Sequence, residues 1–172
     1  MSKTSLVLTI LGKDRPGLVD TIAQTVADHS GNWIESRMAR LAGQFAGILR
    51  VEVDATQAEA LTASLAALSA GGLESTVHAD AAKPTTEDKP IVQLSLVSQD
   101  RPGIVREISH VLATHGVNVE QLETECQSAA HTGQMLFHAT AELKLPETLS
   151  ADALRQALEQ VADDIMVDIS LE

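Results

Sequence analysis

The 172-residue chain has one cysteine, one tryptophan, two phenylalanines and no tyrosine. A lone cysteine, Cys126, excludes an internal disulfide framework, and so few aromatics mean that any core is aliphatic. No stretch approaches the roughly 18 consecutive apolar residues of a membrane span. The opening MSKTSLVLTILGKD has an apolar run too short and too soon interrupted for a cleaved signal. The sequence therefore predicts a cytoplasmic protein with no membrane association. Cations are scarce as well: 12 Lys and Arg face 24 Asp and Glu, a net charge of −12. Residues 1–77 hold six cations and eight acids, residues 78–91 two and three, and residues 92–172 four and 13. So acidic a second half repels phosphate backbones, which disfavours direct nucleic-acid binding; a role in transcription would run through another protein. No Gly-rich phosphate loop, nucleophile elbow or His-Glu-x-x-His occurs, and no catalytic domain accompanies the chain, so the reading is a non-enzyme that needs no cofactor.

What is present is a duplication. LTILGKDRPGLVDTIAQTVADH (8–29) matches LSLVSQDRPGIVREISHVLATH (94–115), with Asp14 and Asp100 standing 86 positions apart. Past the first helix, Glu35 aligns with Glu120, 85 positions on, which implies one extra residue in the first repeat between helix and strand.

Each repeat reads as β-α-β-β-α-β. In the first, Ser5 to Leu11 is a nearly continuous apolar run suited to a central strand. Pro16 fits the first turn of a helix whose stripe is Leu18, Val19, Ile22, Ala23 and Val26. Trp33–Leu41 and Phe45–Val53, separated by Ala42-Gly43-Gln44, predict a hairpin. Thr56 and Glu59 have capping-box spacing before a helix with Leu61, Leu65 and Leu68, which Gly71-Gly72 ends ahead of a strand at Leu73–Val77. The second repeat predicts strands near 91–98, 118–126, 133–143 and 165–171, and helices near 102–115 and 150–162. The fold class is α+β: two ferredoxin-like domains, 1–77 and 91–172, joined by a Pro-containing polar linker at 78–90. Each is a four-stranded antiparallel sheet with two helices on one face.

Asp-Arg-Pro-Gly at 14–17 and 100–103 lies between first strand and first helix, where backbone N–H groups emerge from the helix end. A carboxylate could reach the N–H groups of Gly17, Leu18 and Val19, or of Gly103, Ile104 and Val105. The plainer reading is that Asp14 and Asp100 cap the helices. A helix N-terminus contributes about 0.3–2 kcal/mol, whereas micromolar to millimolar binding needs about 4–8 kcal/mol. A second surface must therefore contribute, and Asn32 or Asn118 on a facing repeat is its expected source of acceptors. Six histidines show no metal-ligand spacing: His110 and His115 do not share a helix face, and His131 and His138 near Cys126 form only a weak cluster. No metal is expected. Cys126 reads as an ordinary strand residue, its thiol pKa raised by Glu123 and Glu125. Arg37 and Arg40 point to opposite faces of a regular strand and are assigned to partner docking.

The βαββαβ pattern, with Asp-Arg-Pro-Gly-Leu-Val or Asp-Arg-Pro-Gly-Ile-Val opening the first helix and Asn-Val-Glu following it, resembles the ACT regulatory domain over nearly the whole chain. The tandem layout and the stretch from Glu35 to Gly47 (ESRMARLAGQFAG) resemble the glycine-cleavage-system transcriptional repressor family. The resemblance implies amino-acid sensing through the strand-to-helix loop at domain interfaces, with glycine or serine as the effector, and control of a transcription factor by protein contact. The expected assembly is a homodimer. The rival readings are a trans-acting regulatory subunit of a metabolic enzyme and a ligand-free interaction scaffold. Under the 85-residue offset, Gly31-Asn32-Trp33 departs from Gly116-Val117-Asn118, and Trp33 is expected to fill space that would otherwise admit ligand.

Overall fold

A computed structural model describes residues 2–79, 91–130, 132–161 and 163–171. Residues 80–90 of the expected linker, and His131, lie outside the described residues. The chain divides into two compact units, Met1–Thr85 and Thr86–Glu172.

The first unit runs β1 (Lys3–Lys13), α1 (Leu18–Asp28), β2 (Asn32–Leu41), β3 (Gln44–Asp54), α2 (Ala58–Ala67), a 3-10 turn at Leu68–Gly71 and β4 (Leu73–Ala79). The second runs β5 (Ile91–Gln99), α3 (Ile104–Thr114), β6 (Asn118–Ser128), β7 (Met135–Lys144), α4 (Ala151–Glu159) and β8 (Met166–Leu171). Both sheets are antiparallel, in the orders β2-β3-β1-β4 and β6-β7-β5-β8. This is the ferredoxin-like arrangement expected of each repeat.

Alternation places one face of each sheet under the helices. Leu6, Leu8 and Ile10 of β1 and Leu49, Val51 and Val53 of β3 are buried with Leu18, Ile22 and Val26 of α1 and Leu61 and Leu65 of α2. The second core repeats this with Val92, Leu94 and Leu96 against Ile104, Ile108, Leu112, Leu154 and Leu158. The stripe of α1 is narrower than the sequence suggests: Val19 is 46% exposed and Ala23 faces solvent, because residues four apart alone suffice to cover the sheet.

The helix starts need correcting too. The N-caps of α1 and α3 are Gly17 (φ 87°) and Gly103 (φ 90°), with no side-chain cap, so Pro16 precedes the helix and neither Asp14 nor Asp100 caps it. At α2 the N-cap is Gln57, and Thr56 forms no capping box. Its chain entry is instead a backbone turn in which the Gln57 N–H donates to the Asp54 carbonyl at 2.8 Å. Ser150 does cap α4, accepting from the Ala153 N–H at 3.2 Å. The β2–β3 loop is two residues, Ala42 (φ 48°) and Gly43 (φ 78°), a left-handed pair whose twist matches the strands it joins.

Strand pairing overturns the 85-residue offset. Asn32 faces Glu52 and Trp33 faces Val51, then Glu35 faces Arg50; Asn118 faces Lys144 and Val119 faces Leu143, then Gln121 faces Glu142. Both edge strands bulge at the same place, after Trp33 and after Val119. The spacing of 86 thus continues through β2, with Asn32 equivalent to Asn118 and no inserted residue. Ser30 (φ 54°) takes the left-handed position that Gly116 (φ 67°) holds in the second repeat. Trp33 is equivalent to Val119 and packs partly buried against its own core.

Candidate functional site: the strand-to-helix loops

In each repeat the loop after the first strand is tied down on one side by the neighbouring hairpin. The Asp14 N–H donates to the Gly43 carbonyl (2.9 Å) and the Asp100 N–H to the Met135 carbonyl (3.0 Å). The chain then turns through Arg-Pro into the left-handed glycine, whose carbonyl accepts the first helical bond, from Thr21 N–H (2.9 Å) or Glu107 N–H (3.1 Å). Leu18 and Ile104 are buried anchors, whereas Val19 and Val105 are 46% and 43% exposed beside the helix start. The second loop is more closed than expected at one donor, since the Ile104 N–H turns back to the Arg101 carbonyl at 3.4 Å.

A Cβ at Gly17 or Gly103 would meet nothing within 4 Å, so these glycines leave open space above the helix end, and only the positive φ demands them. Gly17→Ala and Gly103→Ala are each expected to destabilise their unit by about 1–2 kcal/mol with an unchanged urea m-value, the left-handed penalty alone. A loss above about 3 kcal/mol in urea titration would show a packing role that the open space denies.

The side chains around the two loops are not the same. The Asp14 carboxylate is paired with the Arg40 guanidinium at 2.8 Å, and Arg15 donates to the Gly71 carbonyl at 3.2 Å. In the second repeat Cys126 takes the place of Arg40, so Asp100 has no ion pair among the described residues, and Arg101 folds onto its own helix to grip Glu107 through two hydrogen bonds of 3.0 and 2.5 Å. That grip holds the Glu107 carboxyl below its ordinary range and raises the guanidinium. Asp164 closes the far side, accepting from the Gln99 N–H at 2.7 Å. The Cys126 thiol is raised, as the sequence suggested, but for another reason. Partial desolvation and then Asp100 push it up, while Glu123 and Glu125 pair with Thr140 and His138 on the opposite face of the sheet.

The structure gathers Asp14, Gly17, Leu18 and Val19 in one loop, and Asp100, Gly103, Ile104 and Val105 in the other. It does not bring Asn32 or Asn118 to the loop of its own unit. Asn32 opens β2 and Arg40, which reaches Asp14, nearly closes it, so roughly 25 Å of strand separates the two. Asn118 contacts Glu120 beside it. Arg37 faces Ile48 on the helix-free side of the sheet and Arg40 faces Phe45 on the helix side. Missed in the sequence was the pairing of Arg40 with Asp14; the only signal was an arginine next to the hairpin that fastens that loop. His29 links helices, with Nδ1 at 2.9 Å from the Thr25 carbonyl and Nε2 at 3.1 Å from Ser64 Oγ, and His115 Nδ1 lies 2.9 Å from the Val111 carbonyl. Among the described residues no three His, Cys, Asp or Glu side chains converge as metal ligands, and no helix is long and apolar enough to cross a membrane.

Comparison with known proteins gives the same division. Residues 4–77 and 92–163 each match the ACT domain family. The glycine cleavage system transcriptional repressor of Escherichia coli (strain K12) is 25% identical over 168 residues, covering 95% of this chain and 87% of the relative, and that of Shigella flexneri matches equally. Among solved structures, an unknown protein from Galdieria sulphuraria superposes with a TM-score of 0.87 at 28% identity, over 99% of both chains. A crystal structure assigned to a glycine cleavage system transcriptional repressor superposes with a TM-score of 0.74 at 18% identity, over 100% of this chain and 99% of that one.

Proposed function

Since the chain belongs to the ACT-domain family, with one such domain in each of its two units, we propose that it is an amino-acid-responsive regulator that acts by protein contact on a transcription factor. The observation that carries this reading is the pair of Asp-Arg-Pro-Gly loops. Each ends in a left-handed glycine with open space above it, at a helix start where backbone N–H groups can donate to a carboxylate. Asp14 and Asp100 stand at the same position of the two loops, a negative group of the kind an ammonium needs, so the loop sequence suits a zwitterion. Asn32 and Asn118, remote from the loops of their own units, serve the ligand from a second copy of the chain in this reading, with a homodimer as the working form. Glycine or serine is the effector in this reading, glycine being the amino acid in the names of the curated relatives. Arg37 and Arg40 belong to the partner-docking surface in this reading. With a net charge of −12 the chain works without touching nucleic acid, and catalysis is no part of its role.

The test is thermal unfolding against each of the 20 protein amino acids. A ligand at 100 times its Kd stabilises by about 2.7 kcal/mol, a midpoint rise of about 5–11 °C for a chain of this size. A rise with one or two of them establishes a sensor. Affinity capture with the effector present then identifies the partner: a DNA-binding protein supports the reading, and an enzyme in its place redirects it to regulation of metabolism. No rise with any amino acid at millimolar concentration sinks effector binding and leaves an interaction scaffold.

A further inference from the structure

We infer that the two loops are electrostatically unequal and that a zwitterionic effector occupies the second repeat alone, the first being closed to its ammonium group by Arg40. This rests on the amino-acid reading above and adds to it which loop binds and which residue decides. Arg40 and Cys126 are the same position of the repeat: Arg40 pairs with Phe45 and Cys126 with Phe137, and Phe45 and Phe137 face Gly12 and Ser98, which stand 86 residues apart. Arg40 reaches Asp14 at 2.8 Å with a fixed positive charge, whereas the same position of the second repeat carries an uncharged thiol side chain.

Two further equivalent positions differ in the same sense. Thr21, whose hydroxyl donates to the Gly17 carbonyl at 2.9 Å, is replaced by Glu107, which occupies Arg101 and removes that cation from the loop. Gly72, next to the carbonyl that Arg15 grips, is replaced by Asp164. The first loop thus has Asp14 among Arg15 and Arg40. The second has Asp100 with Asp164 nearby and its one arginine already paired; among the described residues Asp100 has no ion pair.

An incoming ammonium at Asp14 must displace a guanidinium held at 2.8 Å and then remain beside its charge. At Asp100 it meets no ion pair and gains a charge-assisted hydrogen bond. Such a bond corresponds to a difference of about ten-fold or more in affinity.

Calorimetric titration with each of the 20 protein amino acids in turn tests this, with circular dichroism confirming that each variant is folded and Trp33 fluorescence checking the first unit. The expected result is one equivalent bound per chain, weakened about ten-fold or more by Cys126→Arg and by Asp100→Asn, with less than about two-fold change for Asp14→Asn. Arg40→Cys, which gives the first loop the residue of the second, is expected to add a second equivalent. Two equivalents of equal affinity in the unaltered chain, or binding that falls with Arg40→Cys and survives Cys126→Arg, would overturn the inference while leaving the sensor intact. Binding of none of them overturns the amino-acid reading and the inference with it.

Discussion

Replacing Leu8 by Ala is expected to destabilise the first unit by about 3 kcal/mol, within the 2–5 kcal/mol typical of a truncated, fully buried leucine. Leu8 is 0% exposed at the centre of β1, hydrogen-bonded between β3 and β4, with Leu49 and Val77 as its register partners and the helices over it. With almost no aromatic residues in the chain, neighbours cannot swing a large ring into the space, so most of the cavity persists. A unit of this size has about 4–13 kcal/mol in total, so the loss is a large fraction of it. The only tryptophan, Trp33, packs against this core, and its fluorescence in urea reports this unit directly. At an m-value of about 1 kcal/mol/M the midpoint should fall by about 3 M. A shift below about 1 M would mean that β1 does not run beneath the helices.

That β1 is central was legible because it is apolar on consecutive residues, whereas β2 alternates weakly and sits at the edge. The duplication then supplied every element twice, which is why the element order and sheet composition could be read throughout. What could not be read were the places where backbone conformation, rather than side-chain pattern, decides. Asp-x-Pro-Gly looks like an aspartate cap on a proline-started helix; only the positive φ of Gly17 and Gly103 moves the start past Pro16 and releases Asp14 and Asp100 for other partners. The bulges after Trp33 and Val119 were likewise invisible. Glu35 and Glu120 match as letters, yet the bulge puts Glu35 level with Gln121, and a sequence alignment scores letters without registers. The same error hid the equivalence of Arg40 with Cys126, and so hid that the two loops carry different charge. The candidate site was legible as a loop and not as a pair of unequal loops.

Gly47 offers a second large effect and a check on that equivalence. It faces Met38 across β3 and β2, and a Cβ there would lie 2.6 Å from Met38 Cγ and 2.8 Å from the Arg37 carbonyl oxygen. Gly47→Ala should therefore push the edge strand outward and cost about 1–3 kcal/mol, again read by Trp33 in urea. The second repeat has solved this contact with the opposite division of volume. The pair in the same register is Ala139 facing Thr124, with Ala139 buried. Adding Met38→Thr to Gly47→Ala reproduces that pair and should recover about 1 kcal/mol relative to the sum of the single changes, which is the coupling expected of residues in contact. Recovery should be partial, because threonine relieves the clash with the Met38 side chain but not the approach to the Arg37 carbonyl, which needs the strand itself to move. Because β2 also carries Arg40 to Asp14, that movement reaches the first loop: Gly47→Ala should loosen the Asp14–Arg40 pair, whereas the double variant should hold it better. Strict additivity of the two substitutions would show that the pairs are not equivalent in packing, and would separate the geometry of the edge strand from the charge of the loop it serves.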